Sequence, residues 1–134
     1  MKYLLDTNTC VNILRQGAKS PVAARLAGVG PNDAVLCSVV VGELLFGALR
    51  SRDVVKNLAA VRAFAAGLRS VPFDDRAGEE YAKVRADLAA KGTPIGPNDL
   101  LIAAIALANG LTLVTHNTTE FSRVLGLRLE DWET

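Results

Sequence analysis

Residues 98–117 read Asn98-Asp99-Leu100-Leu101-Ile102-Ala103-Ala104-Ile105-Ala106-Leu107-Ala108-Asn109-Gly110-Leu111-Thr112-Leu113-Val114-Thr115-His116-Asn117. An alanine-rich apolar stretch opens on an acid and halts at Gly110, a residue that ends helices. A strand-forming run over 111–115 follows at once. A helix that delivers the chain straight into a strand is half of a parallel crossover unit, so this stretch predicts an α/β fold.

The rest of the chain repeats the alternation. Strands are predicted at 2–6, 33–37, 70–73 and 111–115, with a fifth at 127–129; Pro72 holds the third to an edge or a strand end. Helices are predicted from Asp6-Thr7-Asn8-Thr9 to about Leu14, from Ser20-Pro21 to about Gly28, over 39–49 with Ser38 as cap, after Ser51-Arg52-Asp53 to about Ala66, over 74–90, and over 98–109. The expected architecture is a three-layer α/β domain with a mainly parallel sheet of four or five strands flanked by helices, one domain over residues 1–134. In such sheets functional groups gather beyond the carboxyl ends of the strands.

A chain of 134 residues buries about two-thirds of its unfolded surface, enough for a core without staples. Half its residues are apolar and 22% are charged, which excludes a disordered tail. The longest clean apolar run, residues 100–108, is too short for a membrane span. Only Tyr3-Leu4-Leu5 precedes Asp6, so no export signal is expected; the expected location is the cytoplasm, with Cys10 and Cys37 as reduced core thiols. Net charge is +1, but residues 1–72 carry nine Lys/Arg against four Asp/Glu, and residues 73–134 carry six against ten. If cations neutralise Asp6 and Glu43, the first half presents a more positive face than the total implies; the alternative is an unevenly charged solvated surface.

The informative residues are acids in apolar settings. Around the 39–49 helix, Val40, Val41, Leu44, Leu45, Phe46, Ala48 and Leu49 leave almost no polar face, so the helix is expected to be largely buried. Glu43 is its only acid, with no base one turn away, so a distant base, a proton or a metal ion must compensate it. Asp99 opens an equally apolar helix, where an acid in the first turn also complements the macrodipole. Asp6 has the competing reading of an N-cap. Together these acids lie at or near strand ends, with Asn117 directly after the fourth strand and Glu120 close by. That arrangement predicts an oxygen-only nest suited to Mg²⁺ or Mn²⁺, with raised carboxyl pKa values when no ion is bound.

Other chemistries are poorly supplied. His116 is the only histidine and reads as an exposed loop residue or substrate contact, with catalytic base as the minor alternative. The two cysteines lack metal-ligand spacing, and no phosphate-binding glycine motif occurs. Tyr3, Tyr81 and Trp132 read as packing residues. A phosphorylated receiver domain wants an acidic pair after the first strand and a late lysine, but Asp6 is followed by Thr7-Asn8 and no lysine follows Lys91. An aspartyl-phosphate phosphatase wants a second Asp where Asn8 stands. A non-catalytic module binding nucleic acid or a partner, its acids serving as caps and ion pairs, stays open.

Leu4-Leu5-Asp6-Thr7-Asn8, Ser38-Val39-Val40-Val41-Gly42-Glu43-Leu44, Gly92-Thr93-Pro94-Ile95-Gly96-Pro97-Asn98-Asp99 and Val114-Thr115-His116-Asn117-Thr118-Thr119-Glu120-Phe121 resemble, in order and spacing, the four motifs of the PIN-domain ribonucleases, specifically the VapC-type toxins of bacterial toxin–antitoxin pairs. Gly126-Leu127-Arg128-Leu129-Glu130-Asp131-Trp132 resembles the tail of that family. The resemblance implies a PIN-like fold and a Mg²⁺-dependent endoribonuclease, Mn²⁺ substituting, that cuts structured RNA and arrests translation. It implies that Asp6, Glu43 and Asp99 hold the ion and that Asn117 stands at the fourth, usually acidic, position, with Glu120 supplying the missing charge. Thr7, Asn8, Ser38 and Thr115 are auxiliary candidates, and Arg15, Lys19 and Arg25 are candidates for RNA backbone. Implied partners are tRNA, the initiator tRNA in particular, a cognate VapB-like antitoxin covering the crevice, and a second copy in a homodimer.

Overall fold

The computed structural model describes all residues 1–134. Its strands are β1 Tyr3–Leu5, β2 Ala34–Cys37, β3 Arg69–Val71, β4 Thr112–Val114 and β5 Leu129–Glu130. Every pairing is parallel, and the sheet runs β3-β2-β1-β4-β5. The chain therefore starts in the centre, builds outward to one edge, then crosses back over β1 to build the other. This is a doubly wound sheet, with its topological switch between β1 and β4. A receiver-like, flavodoxin-type sheet has the order 2-1-3-4-5, so the topology removes the receiver alternative.

The helices are α1 Thr7–Gln16, α2 Pro21–Ala27, α3 Ser38–Leu49, α4 Val54–Ala66, α5 Asp75–Lys91, α6 Pro97–Ala108 and α7 Thr118–Phe121, with a 3₁₀ turn at Gly17–Lys19. Helices flank the sheet, as expected. One continuous core of 26 buried residues runs from Leu4 to Trp132. The central strands are its spine: Leu4, Leu5, Val35, Leu36, Leu113 and Val114 are all fully buried. Near-continuous apolar strands are what a sheet covered on both faces requires.

The predicted elements all appear, with shifted ends. The third strand stops at Val71, before Pro72, and lies at the sheet edge, where a missing N–H is tolerated. The fifth is Leu129–Glu130 instead of 127–129. Gly110 takes φ +63 and ends α6, a backbone conformation other residues resist. Cys10 and Cys37 are buried and unbridged, and burial raises both thiol pKa values, Cys37 to about 11.

Three readings need correction. Ser38 is the first residue of α3 and not its cap; Cys37 holds the cap position, with no side-chain bond, and the Ser38 Oγ instead accepts the Phe73 amide at 3.4 Å. The α3 helix is not buried all round, since Phe46 and Leu49 are more than half exposed. Apolar composition reports what a helix prefers to contact, not whether its own chain supplies the contact. The short α7 was not expected, because four residues leave no periodic signal.

Candidate active site

Parallel strands end at one edge, and the backbone ties the ends together. The Asp6 amide donates to the Val114 carbonyl at 3.1 Å, joining the end of β1 to the end of β4 across the switch point. Asp6 then caps α1: its Oδ1 accepts the Thr9 amide at 2.8 Å, while the Thr9 hydroxyl donates to the same Val114 carbonyl at 3.1 Å. The carboxylate is only 5% exposed. Burial raises its pKa above the usual carboxylate range; hydrogen bonding to Thr115 and Thr9 opposes the rise, and the charge of Glu43 adds to it. Asp6 is thus both cap and buried acid, so the two readings offered for it coexist.

Glu43 lies on α3 and points into the space between α1 and α6. Its Oε1 accepts the Thr7 hydroxyl at 2.6 Å and its Oε2 accepts the Asn98 side-chain amide at 3.2 Å. Neutral donors therefore hold it, not a base; Arg50 instead stacks over Phe46 at 5.3 Å. Asn98 as a partner of Glu43 escaped the sequence reading because the two are 55 positions apart.

Asp99 occupies the first turn of α6, whose chain enters through Gly96-Pro97. Glu120, on α7, accepts the Gly96 amide at 2.7 Å through Oε1 and the Asn117 side-chain amide at 2.6 Å through Oε2. Gly96 brings these acids close: a Cβ there would lie 3.4 Å from Asp99 Oδ2 and 3.7 Å from Glu120 Oε1. Burial, then the negative fields of Glu120, Asp6 and Glu43, push the Asp99 carboxyl up to about 6. Acids from the cap of α1 and from α3, α6 and α7 thus act on one another at one edge of the sheet. Asp6, Glu43 and Asp99 do not all bring oxygens within 4.8 Å of one another; mutual repulsion favours separation when no cation lies between them.

The remaining candidates divide. Thr7 and the buried Thr115 belong to the cluster, and Asn117 reaches it through Glu120, its own amide donating to Thr115 Oγ1 at 3.0 Å. Asn8 and Arg15 line a polar cavity beside it, whereas Ser38 is engaged with Phe73. Lys19 is exposed on the 3₁₀ turn, and Arg25 is tied to the tail, over the Trp132 ring at 5.5 Å and 4.0 Å from Glu130. His116 is exposed and its Nδ1 lies 2.9 Å from Asp131 Oδ2; that hydrogen bond raises its pKa. Asp131 and Glu133, which cluster with His116, were not singled out from the sequence, since a separation of 15 positions between His116 and Asp131 carries no local signal of the pairing.

The PIN-domain family profile matches residues 3–127. The chain belongs to the PIN-domain family. Within it, the chain falls in the VapC group. It is 37% identical to the tRNA(fMet)-specific endonuclease VapC of Salmonella typhimurium and 38% identical to that of Shigella flexneri, each alignment covering 98% of both chains. It is 34% identical to ribonuclease VapC2 of Haemophilus influenzae, again over 98% of both. Among solved structures, the DNA-bound VapBC of Salmonella typhimurium superposes with a TM-score of 0.93 at 37% identity, covering 98% of each chain. VapBC-1 of nontypeable Haemophilus influenzae superposes with a TM-score of 0.89 at 31% identity over the whole of both chains. No helix is long and apolar enough to cross a membrane.

Proposed function

We propose that this chain is a single PIN-like domain, residues 1–134, acting in the cytoplasm as a Mg²⁺-dependent endoribonuclease toxin that hydrolyses structured RNA and so arrests translation. The observation that carries the reading is the gathering of Asp6, Glu43, Asp99 and Glu120 at one edge of the sheet with only neutral donors bonded to Asp6, Glu43 and Glu120; burial and the neighbouring acids raise the Asp99 carboxyl to about 6. Such a cluster destabilises itself unless a cation joins it, and its donors are all oxygen, which suits a hard dication such as Mg²⁺ or Mn²⁺. Asp6, Glu43 and Asp99 are the residues that would hold it. A bound dication supplies a Lewis acid for the scissile phosphate and a water acidified toward neutrality.

The chain's own groups prepare that chemistry. Thr7 and Asn98 hold both oxygens of Glu43, and Thr9 holds Asp6 by its amide, which orients these two carboxylates before any ion draws the three acids together. Asn117 and the Gly96 amide hold both oxygens of Glu120 by hydrogen bonds. Glu120 carries the fourth negative charge that Asn117 lacks, and Asn117 acts by orienting it. The relatives named as tRNA(fMet)-specific endonucleases support tRNA, and within it the initiator tRNA, as the substrate. The VapBC complexes support a VapB-like antitoxin as partner. An apolar groove of about 310 Å³ between α1, α3 and α4, with Glu43 at its wall, suits an antitoxin segment reaching the acids. The exposed Phe46 and Leu49 suit a homodimer contact.

Purified protein incubated with initiator tRNA, elongator tRNAs and ribosomal RNA tests this. Discrete cleavage of initiator tRNA in Mg²⁺, abolished by EDTA and restored by Mn²⁺, is expected. Undiminished cleavage in EDTA overturns the metal role, and absence of any cleavage overturns the nuclease reading.

A further inference from the structure

Beside the acid cluster, α1 and the loop after β4 enclose a polar cavity of about 460 Å³, within the ~300–1,000 Å³ range of small-ligand pockets. Val11 is its single apolar lining residue. Asn8, Asn12 and Gln16 recur at four-residue steps along α1, which places their amides on one helix face, and Asn117, which bonds Glu120 of the acid cluster, lines the same cavity. Arg15 lies on the same wall, exposed and without an ion pair anywhere in the chain. Opposite stand Asn117 and His116, and Asp131 holds the His116 ring through Nδ1, leaving Nε2 without a protein partner.

The one acid lining the cavity is Glu133. Its Oε1 accepts the Asn12 amide at 3.2 Å and its backbone amide donates to Asp131 Oδ1 at 2.9 Å, so the C-terminal tail closes the cavity floor. His116, Asp131 and Glu133 bring ligand-type atoms within 4.8 Å of one another, but these groups already have protein partners. Their hydrogen bonds fix the wall; they do not leave an open coordination site.

We propose that this cavity is the subsite for the nucleotide next to the scissile phosphate, in a single-stranded stretch of RNA. Arg15 holds its phosphate, the Asn8 and Gln16 amides take the hydrogen-bonding edges of its base and ribose while Asn12, bonded to Ser20 and Glu133, braces the wall, and His116, aimed by Asp131, is a positioning residue contacting it through Nε2. The chemistry is that of single-strand recognition: cationic donors for the backbone, and amides and a planar ring for the base. The inference rests on the nuclease reading for its substrate, but its test does not need catalysis.

The probe is a fluorescent single-stranded RNA hexamer, its binding followed by anisotropy with no divalent ion added. Arg15→Gln and His116→Ala are each expected to weaken binding about tenfold, with Asp131→Asn reproducing part of the His116 effect. Arg15→Gln also lowers the slope of log K against log salt by about 0.7, the signature of one lost phosphate contact to a single strand. Lys83→Gln, on α5, changes affinity less than twofold. Thermal melts of Arg15→Gln match wild type, because Arg15 has no partner to lose. Binding by Arg15→Gln and His116→Ala within twofold of wild type, or an unchanged salt slope, overturns the subsite. A wild-type protein that cleaves RNA in Mg²⁺ while the variants bind normally sinks the subsite and leaves the nuclease. Binding that obeys the pattern without any cleavage sinks the nuclease and leaves the subsite.

Discussion

Asp6 and Asp74 are the same local device in two environments. Each precedes a helix and accepts the amide three residues on, Asp6 from Thr9 at 2.8 Å and Asp74 from Ala77 at 3.0 Å. Their acidities diverge. The Ala77 amide, helped by the nearby Arg76, lowers the half-exposed Asp74 carboxyl below its ordinary value, whereas burial raises Asp6. A cap motif therefore fixes a helix start and says nothing about the charge it will carry; that depends on what the tertiary structure brings to its other side. At Asp6 it brings Thr115 and Glu43, and Asp99 is coupled to it.

The largest expected contrast is in activity. Asp6→Asn or Asp99→Asn should lower metal-dependent RNA cleavage by at least about 100-fold, the scale of a lost Lewis-acid or charge-stabilising contact, and Asp74→Asn by less than twofold. Single-turnover cleavage rates decide it; equal losses at Asp6 and Asp74 would dissolve the distinction. Glu120→Gln keeps an acceptor for the Gly96 amide but removes a charge. It should lower metal affinity or cleavage by about tenfold and bring the Asp99 carboxyl down toward its ordinary value. Metal titration and carboxyl NMR read both, and an unmoved Asp99 would mean that Glu120 is not its neighbour in solution.

Stability against pH is a smaller effect with a definite sign. The Asp99 carboxyl is pushed up to about 6 in the folded protein from its ordinary value of 3.8, so between these the folded state binds more protons. In metal-free protein its contribution to stability falls as pH rises from about 4 through 6. Urea midpoints of wild type minus Asp99→Asn should shrink over that window, and saturating Mg²⁺ should remove the trend. The smallest contrast is in the metal-free folds at neutral pH: Asp6→Asn keeps a good cap and removes a buried charge, raising the denaturation midpoint, while Asp74→Asn lowers it. Matching signs would refute the account of the two caps.

Long-period features were legible from the residues. The apolar strands, the α5 and α6 helices and the α/β alternation come from patterning that local sequence carries without help. Asp6, Glu43 and Asp99 were visible because each is an acid where composition predicts burial, and their motif spacing named the family. What was not legible is pairwise and distant. Nothing near Glu43 announces Asn98, nothing near His116 announces Asp131, and the place of Asn117 in the crevice does not announce that its side chain grips Glu120. The α3 helix misled in the opposite way, since exposed Phe46 and Leu49 look, in sequence, like core.

The amino-acid sequence on its own determined the alternation of elements, the helix starts at Asp6 and Asp74 and the stop at Gly110, because propensity, capping and glycine geometry act over a few residues. The tertiary structure alone decided which acids share an edge, that Asp99 is pushed to about 6, and that α1 and the tail enclose a polar cavity. Electrostatic fields and desolvation depend on distance through space, and only the folded sheet, crossing back over β1, sets those distances.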